Sequence, residues 1–392
     1  MAKKSKLSMA AIFSMVSVWF GAHAGGGFAS GNQTMNFYGN FGWTAVILPV
    51  LSMFIVTLVY REGIIMANHY RISDYNSLSH RMYAPFDKIL APVYEVCNLG
   101  TGILAVSASI AGGAAVMNET LHMNYLLSVL ILGIIVLLLS IFGADLVAKS
   151  STVMVVCIIV SVILICIFAI PARWSELSQI VSTHETYGTN YGSAIWSSIR
   201  YAGFQCFAFL GFLGVCNGLI TDKNCNKASL MGFILNTAML LGTSVMLEGW
   251  SADVKGNTLP TLTACQSLGM PWLTVVYEIA LFCAFMTTAV AVAFGVVCRF
   301  GKFNEKVHLS HKVWDGITSV LVVAISMGAS TFGLTKIVAV GYSYLGAIGL
   351  FLVIIPYIVV GHIKNKKFSA EHPEVVSDEN WIDNIKAEEK SN

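Results

Sequence analysis

The sequence predicts an all-α integral membrane protein of ten transmembrane helices in two inverted five-helix repeats, with helices 1 and 6 discontinuous. Three observations predict it. Apolar residues make up 56% of the chain and charged residues only 11%, whereas water-soluble domains carry about 25% charged residues. The apolar residues gather in runs of about twenty, each able to cross a hydrocarbon core of ~30 Å. Glycine clusters interrupt the first and sixth of these runs near their middles.

The spans are placed at Leu7–Tyr38, Trp43–Ala67, Ile89–Met117, Met123–Phe142, Ala144–Ile170, Tyr191–Ile220, Lys227–Leu247, Pro271–Cys298, Val313–Met327 and Leu334–Gly361. The first has a basic start but no small-residue cleavage site closing a short apolar region, so it reads as a span rather than a leader. This divides the chain into an N-terminal segment (1–6), a first repeat (7–170), an external loop (171–190), a second repeat (191–361) and a polar tail (362–392).

Orientation follows from the basic residues. With the N-terminus inside, all Lys and Arg except Arg173, Arg200, Lys255 and Lys336 fall in cytoplasmic segments. That asymmetry is the positive-inside pattern of a multi-pass protein of the cell membrane, with both termini cytoplasmic. An odd number of spans would reverse the later loops and spoil it.

Several function classes are excluded. The net charge of +2 gives no reason to expect a nucleic-acid partner; the expected partners are a small-molecule substrate and the lipid bilayer. Nine cysteines lie mostly in or beside apolar spans, without a CxxC pair or Cys/His spacing for a metal, and read as small buried hydrophobes. A membrane enzyme needs a nucleophile–base or metal constellation at depth, and only single residues are found. A channel needs a repeated pore element.

The two interrupted spans carry the functional signal. The first contains GAHAGGGFASG, Gly21 to Gly31, and the sixth contains GFQCFAFLGFLG, Gly203 to Gly214. Each opens a set of five spans, and because five is odd the second set runs in the opposite sense. Interrupted helices at matching positions of inverted halves point to a transporter site at the midplane. A helix broken in lipid frees N–H and C=O groups that only protein, water or a ligand can satisfy. Gly25, Gly26 and Gly27 let the backbone leave helical geometry, and the half-helix expected to begin near Phe28 offers N–H groups to an anionic group. The competing reading is close helix packing through small residues.

The run GGGFASGNQTMNFYGNFG, Gly25 to Gly42, resembles the glycine-rich first helix of the YkvI-like amino-acid permeases of the amino acid–polyamine–organocation superfamily, which shares the LeuT fold. CFAFLGF, Cys206 to Phe212, is similar to that superfamily's unwound sixth helix. Asn32-Gln33 stands where the YkvI-like pattern carries Gln-Glu. The resemblance spans about Leu7 to Gly361. It implies a LeuT-like fold, secondary transport of an amino acid or related small amine or zwitterion, and a bundle of spans 1, 2, 6 and 7 rocking against spans 3, 4, 8 and 9.

It also implies an ion site. In sodium-coupled LeuT-fold transporters one sodium joins first-helix carbonyls to carbonyl and hydroxyl oxygens of the eighth. Ala284, Thr287 and Thr288 match the eighth-helix pattern, and Gly21 and Ala24 match the first-helix carbonyl positions. Sodium as coupling ion is thus the preferred expectation, with no other cofactor; the competing reading has the threonines bonding back to their own helix. A proton-coupled or uncoupled carrier of an organic cation, or a transporter-like sensor without transport, are the alternative functions.

Ionisable residues at depth are candidates by default. His23 beside the first break is open to substrate contact, proton uptake, capping of a freed carbonyl, or a purely structural role. Arg200 and Glu278 share a depth in the outer half and are expected to pair, as an outer gate, a carboxylate-binding arginine or a structural ion pair. Glu95 on the third span serves a cation, a proton or an inner gate, or snorkels towards Lys88, which is the preferred reading. The substrate-binding set is completed by Ala24, Gly211 and Ala208 at the breaks, by Asn98 and Thr101 on the third span, and by the aromatic rings of Phe28, Phe204, Phe207 and Phe209.

Overall fold

The computed structural model describes residues 2–70, 72, 75–142, 144–208, 222–300 and 310–373. Among them six helices are long and apolar enough to cross a membrane, and a bent pair supplies a seventh span. Two shorter apolar helices, Ile12–His23 and Tyr125–Ile141, and the helix Tyr191–Ala208 supply the others. The ten predicted spans are thereby accounted for, in the predicted order.

Span 1 begins as α1 (Ala2–His23), breaks at Ala24 and Gly25, and resumes as α2 (Gly26–Ala29) and α3 (Asn32–Phe37). Span 2 starts later than predicted. Residues 39–46 form a tight 3₁₀ turn, pinned by the Trp43 N–H donating to the Glu185 carbonyl at 2.9 Å, and the α-helix α4 (Leu48–His69) begins only beside Pro49. A short helix α5 (Tyr75–Tyr83) then leads to span 3, α6 (Asp87–Leu121), and span 4, α7 (Tyr125–Phe142). Span 5, α8 (Ala144–Ala172), ends just after Pro171 and turns by 73° into α9 (Trp174–Ser182). Proline cannot donate the next helical hydrogen bond, which accounts for a turn at this point.

The second repeat comprises α10 (Tyr191–Ala208), α11 (Asp222–Gly249), a short helix α12 (Pro260–Ser267), α13 (Pro271–Arg299), α14 (His311–Ser330) and α15 (Leu334–Glu371). The last helix runs ten residues beyond its predicted end at Gly361 and contains π-type turns, one of them at Pro356–Gly361. Large apolar side chains such as Leu130, Ile134, Ile163 and Ile325 are exposed on the outer surface, where lipid takes the place of protein.

Two separate apolar cores hold these helices. One consists of Val106, Ile110, Val129, Leu132, Val136, Val290, Ala293, Val322 and their neighbours, drawn solely from spans 3, 4, 8 and 9. The other joins spans 1, 2, 6 and 7 to one another, to spans 5 and 10, and to spans 3 and 8 through Ala108, Ala111, Tyr277, Ala284 and Phe285. Spans 3 and 8 therefore contribute to both cores, while the buried residues of spans 4 and 9 lie in the first alone. Cys225, predicted in a loop, is buried in the bundle core because α11 starts before the predicted span.

Candidate functional site

The Ala24 N–H closes the last helical bond of α1, donating to the Phe20 carbonyl at 2.7 Å. Gly25 is extended (φ −61°, ψ 172°), and α2 starts at Gly26, two residues earlier than predicted. Phe28 and Ala29 both donate to the Gly25 carbonyl at 3.0 Å. Farther along, Tyr277 Oη donates to the Ala29 carbonyl at 2.5 Å, Ser30 Oγ to the Gly27 carbonyl at 3.0 Å, and the Thr261 N–H to the Ser30 carbonyl at 3.0 Å. Among the described residues no backbone donor serves the carbonyls of Gly21 or Ala24.

Span 8 faces this break. A Cβ built on Gly25 would stand 3.5 Å from Thr288 Oγ1, and one on Gly26 would stand 2.2 Å from the Phe285 ring. Ala284 is buried one turn away. Thr287 Oγ1 donates back to its own helix, to the Cys283 carbonyl at 2.9 Å or the Ala284 carbonyl at 3.2 Å. That bond leaves the lone pairs of the hydroxyl unused.

His23 is 4% exposed and both ring nitrogens are engaged, Nδ1 with Asn236 Oδ1 at 2.7 Å and Nε2 with Tyr201 Oη at 2.8 Å. The surrounding bonds fix the tautomer. Asn236 Nδ2 donates to the Gly232 carbonyl at 2.8 Å, so Oδ1 accepts from His23 Nδ1–H. Gln205 Nε2 donates to Tyr201 Oη at 3.1 Å, and the tyrosine proton then points at His23 Nε2. A neutral imidazole satisfies every member, and the chain of bonds ties spans 1, 6 and 7 together. Of the four roles open to His23 in the sequence, the geometry matches the structural one. Asn236 and Gln205 were not singled out, although each is a polar residue inside an apolar run.

The other predicted residues separate into groups. Phe204 stacks on Tyr342 of span 10, with centroids 4.0 Å apart, and Phe207 stacks on Tyr94 of span 3, at 5.7 Å. Gly203 brings the backbones of spans 6 and 10 together: its Cβ would lie 2.1 Å from the Gly346 carbonyl oxygen, so this glycine serves close packing. Ala208 ends α10, while Phe209 and Gly211, and with them the predicted second break, lie outside the described residues. Thr101 Oγ1 bonds back to the Cys97 carbonyl at 2.8 Å.

Two ionic expectations are corrected. Glu95 does not reach for Lys88; it forms a two-pronged pair with Arg299 of span 8, with Nε to Oε1 at 2.6 Å and a second bond to Oε2 at 3.0 Å. Tyr75 Oη donates to Glu95 Oε1 at 3.0 Å and its ring lies 4.0 Å under the guanidinium, while Asn98 sits beside the same hydroxyl. Glu95 and Asn98 thus belong to one cluster on the face that carries α5, rather than to the break. Arg200 and Glu278 form no ion pair among the described residues. Glu278 lies near Glu119 and takes a long contact, 3.5 Å, from Gln266, whereas Arg200 Nε is buried without a partner.

Two buried carboxylates escaped the sequence reading. Glu62 on span 2 is 5% exposed and is held by Arg61, by His362 Nδ1 at 3.2 Å and by Asn365 Nδ2 at 2.9 Å, which locks span 2 to the extension of span 10. Glu248 at the end of span 7 is fully buried and accepts from Tyr187 Oη at 2.7 Å. Each is an acid within or beside an apolar run, which is the signal that would have found it. Near α12 a cavity of about 240 Å³ is lined by Asn118, Glu119, Thr258, Thr335 and Lys336.

A broken first span facing the eighth, and ten spans in two halves, define the LeuT fold. The solved structures similar to this chain have it too. One is a manganese transporter from Eremococcus coleocola, bound to an aromatic bis-isothiourea compound (13% identity, 96% of this chain and 87% of that one, TM-score 0.62). Another is MhsT in complex with L-phenylalanine (14%, 91% and 97%, TM-score 0.61). A third is a Na⁺-coupled sialic acid symporter in a substrate-bound, outward-open state (11%, 92% and 98%, TM-score 0.52). No family model matches the sequence, and no curated protein does.

Proposed function

We propose that the chain is a secondary transporter that moves an amino acid or a related small amine or zwitterion by alternating access, with sodium as the coupling ion and both termini in the cytoplasm. The observation that carries this reading is the meeting of the first-span break with Thr288. The Gly21 and Ala24 carbonyls take no backbone donor among the described residues and Thr288 lies beside Gly25, and neutral oxygens of this kind suit a hard, singly charged cation. Spans 4 and 9 share one core and spans 1, 2, 6 and 7 the other, with spans 3 and 8 in both, which supports a bundle that moves against a scaffold along spans 3 and 8. The resemblance to YkvI-like permeases and the L-phenylalanine bound to MhsT support an amino acid as substrate. Proton coupling through His23 fits less well, because both its nitrogens already have partners.

The test is uptake by the purified chain in proteoliposomes, with a panel of amino acids, betaines and organic cations offered under a sodium gradient, a proton gradient or neither. Saturable, sodium-driven uptake of a zwitterion is expected. Uptake that ignores sodium and follows the proton gradient overturns the coupling; no saturable uptake of any compound overturns transport itself. Orientation is checked by labelling single cysteines, with Ser182→Cys and Gly256→Cys expected to react from outside and Ser77→Cys only from inside.

A further inference from the structure

Gln33 stands next to Asn32 at the start of α3, yet the two amides are used in opposite ways. Asn32 is fully engaged. Its Nδ2 donates to the Thr258 carbonyl and to Thr335 Oγ1, each at 2.9 Å, and its Oδ1 accepts from Asn36 at 3.0 Å. Gln33 is just as deeply placed, at 6% exposure, but its amide makes no hydrogen bond among the described residues, and Oε1 is a buried acceptor without a partner. A buried amide left unpaired has given up its bonds to water without replacing them. Native interiors rarely carry such a group without a use for it.

Its position supplies the use. The Gln33 amide lies against Gly27 of α2, just past the first-span break, with Nε2 2.5 Å from the place a Cβ on that residue would occupy. The amide therefore lies there only because position 27 has no side chain. Thr34, the next residue, is fully buried and its hydroxyl is likewise unpartnered. Among the described residues no free charge accompanies them at the break: His23, beside it, has both ring nitrogens engaged, by Asn236 and Tyr201.

We propose that Gln33 is a substrate-binding residue whose amide pairs with a ligand that is neutral overall and presents both a hydrogen-bond acceptor and an N–H donor, the chemistry of a zwitterionic amino acid. Nε2 donates to the ligand's acceptor, and Oε1 accepts from its ammonium. Turning the amide by 180° exchanges the two ends, so the requirement is for the pair and not for one orientation. A permanent cation without N–H groups offers nothing to either end. This inference rests on the transport reading and gives it a substrate class.

The experiment uses the purified full-length chain in detergent with sodium, and reads ligand affinity from thermal stabilisation. The probes are L-leucine, L-alanine and glycine as zwitterions, glycine betaine as a zwitterion without N–H, and isobutylamine as an amine without a carboxylate. The zwitterions with N–H groups are expected to bind best. Gln33→Leu should weaken them by about tenfold or more, the loss of one to two hydrogen bonds. Gln33→Glu keeps the shape but offers acceptors only, and should move the preference towards isobutylamine, a change that loss of packing does not produce. Stabilisation by sodium alone should be the same in all three proteins, which also reports that the variants fold. Unchanged zwitterion affinity in Gln33→Leu overturns the residue's role. Tighter binding of betaine or isobutylamine by the wild type, or no binding of any probe, overturns the ligand class. Binding without uptake in proteoliposomes instead counts against transport, and leaves Gln33 as a ligand contact.

Discussion

The Phe285 ring stands against Gly26, filling the space that a side chain at position 26 would need. A Cβ there would meet ring carbons at 2.2 Å, and one on Gly112 of span 3 would meet the same ring at 2.1 Å. One aromatic side chain thus plugs the gap between the broken span and the scaffold, and it is fully buried. Gly26→Ala forces ring or backbone to move, an overpacking that typically costs about 1–3 kcal/mol. Phe285→Leu opens a void of its own. In the double variant the two defects offset, so the measured losses in thermal stability should sum to clearly more than the loss in the double variant. Strictly additive losses would show that the ring moves aside freely.

The His23 chain of hydrogen bonds predicts a different pattern. Tyr201→Phe removes one hydroxyl but leaves two buried groups, His23 Nε2 and Gln205 Nε2, without their partner. The expected loss is about 2 kcal/mol, larger than a single exposed hydrogen bond contributes. Asn236→Leu should cost a similar amount by stranding His23 Nδ1, and combining the two should cost less than their sum because both act on one imidazole. Melting temperatures of the three proteins check this. Independent effects would mean that the histidine is not the shared member.

Much of the fold was legible because lipid imposes one rule on every span. Apolar runs and the placement of two glycine clusters were enough for the span order and the first break, while the expectation that span 8 meets span 1 came from the resemblance to sodium-coupled LeuT-fold transporters, and the structure has Gly25 beside Thr288. What the sequence obscured were pairings between distant spans. Glu95 was matched to Lys88 because that lysine is near in the chain, while its real partner, Arg299, lies five spans on. Arg200 and Glu278 share an expected depth but form no pair among the described residues, and depth is all a sequence supplies. The same limit hid Phe285, which looks like any aromatic residue of an apolar helix until Gly26 and Gly112 are brought against it. For Phe204 and Phe207 the sequence leaves both pocket lining and packing open, and each packs on a tyrosine of another span.

The Glu95–Arg299 pair is about three-quarters buried, with side chains 25% and 23% exposed, so solvent still screens part of its attraction. A double-mutant cycle with Glu95→Gln and Arg299→Gln should give a coupling of about 1 kcal/mol that weakens with salt. Tyr75→Leu removes a hydrogen bond to the carboxylate and a ring from beneath the guanidinium at once. Its effect should largely vanish when Glu95 and Arg299 are both already replaced. A full Tyr75 effect in that background would show that the ring acts by packing alone.

The last prediction concerns the ion. Thr287 and Thr288 are adjacent on span 8 but differ in one respect: Thr287 Oγ1 has a hydrogen bond to its own helix. Thr288 Oγ1 instead lies 3.5 Å from where a Cβ on Gly25 would stand, beside the break. If sodium sits between Gly21, Ala24, Ala284 and the two hydroxyls, Thr288→Val removes a ligand while nearly keeping the side-chain shape. Little water can replace it. A deficit of about 2 kcal/mol should raise the sodium concentration needed for half-activation by roughly thirtyfold. Substrate affinity at saturating sodium should change much less, because this hydroxyl need not touch substrate. Thr287→Val should act in the same direction but also frees a helix carbonyl, so it should lower thermal stability where Thr288→Val does not. Sodium-induced thermal stabilisation reads the ion directly, without a known substrate. Equal sodium responses in the wild type and Thr288→Val would return both threonines to a structural role and remove span 8 from the coupling mechanism.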